Sequence, residues 1–162
     1  MAAGFQLKLK SKSPGQTLKI AGELAKRLSG GEILALQGSL GSGKTLFVQG
    51  LARGLGVYDP KEVRSPTFNL IQEHRGRTSL SHADFYRLAP QEVMGLGLED
   101  YWREKGGWVV AVEWAEKAGG MIPPAALWIR MEIASDKERI LTLTGGGQWE
   151  RILRLCMKKL QK

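Results

Sequence analysis

The chain has 162 residues, of which 43% are hydrophobic and 25% charged, and its 24 Lys and Arg outnumber 16 Asp and Glu for a formal net charge of +8. This usage fits one compact domain and excludes a fibrous repeat, a disordered polyelectrolyte and a bundle of membrane-spanning helices, since the apolar run from Trp108 to Val112 is far below the ~20 residues a spanning helix needs. The first residues lack a basic head followed by an apolar run, and the one cysteine, Cys156, has no intramolecular partner, so a reducing, cytoplasmic setting is expected.

Phe5 to Lys10 alternates apolar and polar residues, the period of an edge strand with one wet face. Ser13, Pro14 and Gln16 then supply an N-cap, a first-turn proline and a capping-box partner, which predicts a helix whose inner face is Leu18, Ala21, Ala25 and Leu28 and whose end is Ser29-Gly30-Gly31. Ile33 to Leu36 is apolar without alternation, as in a strand covered on both faces. A helix should follow from Lys44 to Leu55, with Gly56 as its stop. Pro66 to His74 and Thr78 to Tyr86 read as an antiparallel hairpin turning at His74-Arg75-Gly76-Arg77. Gln91 to Arg103 predicts short helical pieces broken at Gly95 and Gly97, Trp108 to Val112 a second buried strand, and Leu127 to Ala134 and Arg139 to Thr144 two more. From about 148 to 162 an amphipathic helix sets Trp149, Ile152, Leu153, Cys156 and Leu160 against Arg151, Arg154, Lys158 and Lys162. That basic face reads first as a solvated helix face, and otherwise suits a polyanion such as RNA or an acidic protein surface.

Between the buried strand and the second helix, Gly38, Ser39, Leu40, Gly41, Ser42, Gly43, Lys44 and Thr45 match G-x-x-x-x-G-K-[ST] in full, with Leu46 opening the helix. The glycines let successive backbone N–H groups turn inward around phosphate oxygens, and the helix start adds its unpaired amides. In such a loop Lys44 reaches the terminal phosphates and Thr45 ligates Mg²⁺, so ATP and magnesium are the expected cofactors.

A carboxylate must complete such a site, and Glu113, directly after Val109-Val110-Ala111-Val112, stands where a parallel sheet opens on its ligand crevice. Asp84 is the second candidate: alternation puts His82, Asp84 and Tyr86 on one strand face, which a solvated face would also explain. Thr67, in Ser65-Pro66-Thr67, is a candidate switch residue, or simply part of a strand entry.

The phosphate loop, Ser65-Pro66-Thr67-Phe68, His82-Ala83-Asp84-Phe85-Tyr86-Arg87-Leu88 and Glu113-Trp114, in this order, resemble the TsaE (YjeE) family over nearly the whole chain. The resemblance implies an ATPase required for threonylcarbamoyl-adenosine formation at position 37 of tRNA, acting on TsaB and TsaD, with tRNA contact through that complex. It further implies that Lys44 and Thr45 bind phosphate and metal, Glu113 joins the metal shell, Asp84 supports hydrolysis, Thr67 lies in a switch-like segment, Thr17 sits near the base and Trp114 flanks the site. Ser39 departs from the family's usual aspartate at that position. A small-molecule kinase would use the same loop, although the inserted segments are short for an acceptor lobe, and a basic RNA-binding module that senses nucleotide is a further alternative. The expected fold is α/β: a single three-layer P-loop NTPase domain over residues 1–162, its central sheet mostly parallel with an antiparallel hairpin.

Overall fold

The computed structural model describes residues 4–66 and 69–161. Its strands are β1 (Phe5–Ser11), β2 (Ile33–Gln37), β3 (Ile71–His74), β4 (Leu80–Asp84), β5 (Val109–Glu113), β6 (Leu127–Ile133) and β7 (Arg139–Gly145); its helices are α1 (Pro14–Ala25), α2 (Lys44–Gly54), α3 (Pro90–Met94), α4 (Leu98–Glu104) and α5 (Gln148–Leu160). The strands form one sheet in the order β1-β7-β6-β2-β5-β4-β3. β4, β5, β2 and β6 run parallel, β7 is antiparallel to both its neighbours, and β3 returns antiparallel to β4. The sheet is thus mostly parallel, as the sequence implies, with the expected hairpin at one edge. A second antiparallel excursion, β6 to β7 to β1, closes the other edge. Only residues 134–138 separate β6 from β7, too few for the crossover a parallel pair requires.

Successive residues of the central strands feed opposite layers. Leu34, Leu36, Val109 and Ala111 pack with Ile20, Leu24, Phe47, Leu51 and Trp149 of α1, α2 and α5. Ala35, Val110 and Val112 pack with Val93, Leu98, Ala115 and Ala118 on the other face. This is why β2 and β5 show no alternation of polarity: neither face meets water.

α1 starts as its sequence dictates. Ser13 Oγ accepts from Gln16 N at 3.1 Å, and Gln16 Oε1 accepts in return from Lys12 N at 2.7 Å, one residue ahead of the usual capping box. It ends at Ala25, a turn before the expected Ser29-Gly30-Gly31, because Arg27 N and Leu28 N bond the third carbonyl back and tighten the chain into turns. Leu28 is buried all the same, outside the helix. The Gly30 bend is needed for contact: a Cβ there would stand 2.4 Å from Gly107 O, while Glu32 holds the bend by accepting from Ser29 N and Gly30 N.

The hairpin is shorter than its apolar pattern suggests. Its strands pair only from Ile71↔Ala83 to His74↔Leu80, and Gly76 leaves the turn to bridge Val57. Trp108 precedes β5, and β4 stops at Asp84, so Tyr86 follows the strand instead of extending its face. α5 buries Trp149, Ile152, Leu153 and Cys156. Burial pushes the Cys156 thiol up to about 11, so it is an inert core group. No helix among the described residues is long and apolar enough to cross a membrane.

Candidate functional site

β2 ends at Gln37 and the chain turns through Gly38 (φ 156), Gly41 (φ 81) and Gly43 (φ 101) before α2 begins at Lys44. Gly38 is required by close approach, since a Cβ there would lie 2.5 Å from Met131 O and 2.6 Å from Ser42 Oγ. Gly43 caps α2 without a side chain, so no capping group competes for the leading amides of the helix, which are the natural anion donors. Lys44 lies across the loop and is only 4% exposed, with its ammonium donating to Gly38 O at 2.6 Å and Ser39 O at 3.0 Å. Burial lowers its pKa, opposed by the charges of Glu113, Glu116 and Asp84. A cleft of about 420 Å³ opens over this loop, bordered by Gly43, Thr45, Ser65, Asp84, Glu113 and Trp114 among others.

Opposite the lysine stands a chain of oxygens. Thr45 Oγ1 donates to Glu113 at 2.9 Å (Oε1) and 3.1 Å (Oε2), and lies 2.8 Å from Ser65 Oγ, which reaches Asp84 Oδ2 at 3.1 Å. Glu113 and Asp84 are paired in register on neighbouring strands and are 2% and 8% exposed. Burial raises the Asp84 pKa, the Tyr86 N–H that bonds Oδ1 at 2.9 Å lowers it, and the Glu113 charge raises it again. Two buried carboxylates bridged only by hydroxyls form a hard, anionic oxygen set, which suits a divalent cation with a strong oxygen preference. His82, wholly buried beside them, places Nε2 2.8 Å from Glu113 Oε1.

Two features were not legible in the motifs. Trp114 is the only described non-glycine residue with positive φ (φ 56, ψ 39), a conformation costing roughly 1–2 kcal/mol. It turns the chain just after Glu113 and brings the indole within 4.3 Å of the Lys44 ammonium and 5.1 Å of the Tyr86 ring. Arg139, at the start of β7, donates from Nε to Ser42 O at 3.2 Å and from Nη2 to Gly41 O at 3.1 Å, while Nη1 bonds Ser135 O at 2.8 Å. It therefore ties the phosphate loop to the β6–β7 turn. Its sequence neighbours read only as a strand entry.

Of the candidates named from sequence, Leu40, Gly41, Gly43, Lys44, Thr45, Leu46, Asp84, Glu113 and Trp114 meet at the cleft. Gly38 and Ser39 border an adjoining hollow shared with Trp114, and Ser42 is buried beneath the Lys44 ammonium. Thr17 is not among the residues lining the cleft: it is 2% exposed and its hydroxyl is 2.6 Å from Ser11 Oγ. Thr67 lies outside the described residues. The His82 and Asp84 face, which could equally have been solvated, is buried.

Residues 11–141 match the family model described as TsaE, threonylcarbamoyl adenosine biosynthesis protein. A Bacillus subtilis protein named tRNA threonylcarbamoyladenosine biosynthesis protein TsaE is 40% identical over 143 residues, covering 88% of this chain and 87% of the relative. A Nostoc protein of the same name is 47% identical over 104 residues, 62% of this chain and 63% of the relative, so that match spans less than two thirds of its length. The crystal structure of Bacillus subtilis YdiB superposes with a TM-score of 0.79 at 32% identity, covering 98% of this chain and 99% of the other. The fold is a P-loop fold.

Proposed function

The chain belongs to the TsaE family of tRNA threonylcarbamoyladenosine biosynthesis proteins, and from that premise we propose that it is a magnesium-dependent ATPase acting with TsaB- and TsaD-like proteins in that modification. The observation that carries the reading is the join of Thr45 to both oxygens of Glu113, directly behind the glycine loop and beside the buried Lys44. A loop rich in inward-turning amides, closed by an ammonium, suits a polyphosphate, and the oxygen set across from it suits Mg²⁺. When bound, Mg²⁺ would offset charge on the phosphate oxygens.

The chain's own residues have separable roles in this reading. Lys44 leaves the carbonyls of Gly38 and Ser39 for phosphate oxygens, a stronger, charge-assisted partner. Thr45 and Glu113 would hold the cation. Asp84, with its raised pKa, is a better proton acceptor than an ordinary aspartate and orients the attacking water. Trp114 covers the lysine and limits water around the transferring group. Thr67 acts as a switch element, whereas Thr17, buried against Ser11 and outside the cleft, supports the start of α1 rather than touching the nucleotide.

Incubation with γ-labelled ATP, with and without purified TsaB- and TsaD-like proteins, tests the reading. Slow, Mg²⁺-dependent release of free phosphate that the partners accelerate is the expected result. Label appearing on a metabolite would instead identify a small-molecule kinase, and tight, salt-sensitive tRNA binding indifferent to ATP would identify a nucleotide-sensing RNA module.

A further inference from the structure

Behind the Glu113 carboxylate lies a group of polar atoms that the proposed function leaves unused. β3 and β4 set Gln72 opposite His82, and His74 follows two residues along β3 on the same face. One atom of each, Gln72 Oε1, His74 Nε2 and His82 Nδ1, is buried without a hydrogen-bond partner among the described residues. An orphaned buried polar atom is rare, because its lost hydration goes uncompensated. Three on neighbouring positions of one sheet face suit one shared partner. Burial is the first cause holding the His74 pKa below its ordinary value, and the neighbouring His82 is the second.

The chemistry of the three atoms names that partner. Gln72 Oε1 only accepts, and each imidazole nitrogen either donates or accepts according to its proton. A water molecule has two hydrogens and two lone pairs, so with the His82 proton on Nε2 it donates to Gln72 Oε1 and His82 Nδ1 and accepts from a His74 Nε2–H, and buried waters commonly make about three such bonds. The other side of the His82 ring is already committed, with Nε2 on Glu113 Oε1, the same oxygen that Thr45 Oγ1 reaches.

We propose that His82 is a positioning residue: its Nε2–H holds the Glu113 carboxylate in the orientation that meets Thr45, and a buried water on Nδ1, Gln72 and His74 fixes the ring from behind. This rests on the reading of Glu113 as the metal-side carboxylate. A carboxylate held by two donors from different strands and helices need not be reoriented when the cation arrives, which is how second partners of metal ligands raise affinity.

Two measurements on the full chain test it. In ¹⁵N-labelled protein, long-range imidazole spectra should show the His82 proton on Nε2; a bare Nε2 overturns the proposal. Mg²⁺ titration of the protein with a bound fluorescent ATP analogue should show the midpoint for His82→Leu raised about 10-fold, with metal-free nucleotide affinity unchanged. His82→Gln, which keeps an N–H near the Nε2 position, should recover most of the loss. An unchanged midpoint in the Leu variant, or a Gln variant no better than Leu, refutes it. If the wild-type chain binds no Mg-nucleotide at all, the proposed function fails, while the spectra still decide the His82 hydrogen bond.

Discussion

Thr45 Oγ1 lies 2.9 Å and 3.1 Å from the two oxygens of Glu113, joining the first turn of α2 to the end of β5 through one hydroxyl hydrogen. The join runs through the hydroxyl alone. Thr45→Ala should therefore weaken Mg²⁺-dependent nucleotide binding by about 10-fold or more, since a hydrogen bond to a charged group is worth roughly 1.5–3 kcal/mol. Thr45→Ser should stay near wild type. Calorimetric titration with Mg-ATP checks both, and an Ala variant that binds as tightly as the Ser variant removes the hydroxyl from the site.

Lys44 is a buried cation whose partners are carbonyl oxygens of its own loop. Its removal takes away phosphate affinity but also relieves the burial of a charge. Lys44→Ala should raise the Kd for ATP by at least ~10-fold without lowering the melting temperature. Unaltered affinity would separate the lysine from phosphate binding, and a collapsed melting curve would make it a structural prop.

Asp84 carries a pH-dependent cost. Burial is the first cause raising its folded-state pKa, so the folded chain holds this proton more tightly than the unfolded chain does. Stability from that proton is present below the unfolded value of about 3.9 and is lost as pH rises through the folded value. Asp84→Asn, which never ionises, escapes that loss. The variant should gain on the order of 1 kcal/mol, or roughly 2–4 °C in melting temperature for a chain of this size, and the gain should vanish below pH ~4. Phosphate release should fall sharply at the same time. Melting curves at neutral and acid pH decide it: a variant equally or less stable at neutral pH shows that its hydrogen bonds to Tyr86 N and Ser65 outweigh the charge.

The phosphate loop and Glu113 were legible because they depend on local pattern: glycines at fixed spacing between an unbroken apolar strand and a periodic helix, then an acid at the end of a second apolar strand. Asp84 and His82 were half legible. Alternation places them on one face, but whether that face is wet depends on α2 and the loop at Val63 and Ser65 folding over it, which no local pattern encodes. The α1 end was misplaced by a turn because Ser29-Gly30-Gly31 serves the contact with Gly107 rather than the helix stop. Trp114 in the left-handed region leaves no trace in sequence, since a tryptophan there carries none of the turn signal that a glycine would. Arg139 was invisible as a site residue because its partners are backbone carbonyls nearly a hundred positions away.

That arginine yields the sharpest expectation. Its guanidinium reaches Gly41 O and Ser42 O on one side and Ser135 O on the other, so a single side chain holds the phosphate loop against the β6–β7 turn. A lysine keeps the charge but offers one compact donor cluster, which cannot span both segments as a planar fork does. If the fork is what shapes the loop, Arg139→Lys and Arg139→Ala should lose nucleotide affinity alike, by about 10-fold or ~1.4 kcal/mol. If only the charge matters, Lys should rescue, because a cation beside bound phosphates acts at a distance without geometry. Titration of the two variants at low and moderate salt separates these: equal losses independent of salt support the clamp, whereas a Lys variant near wild type that weakens as salt screens its charge shows that the loop keeps its shape unaided.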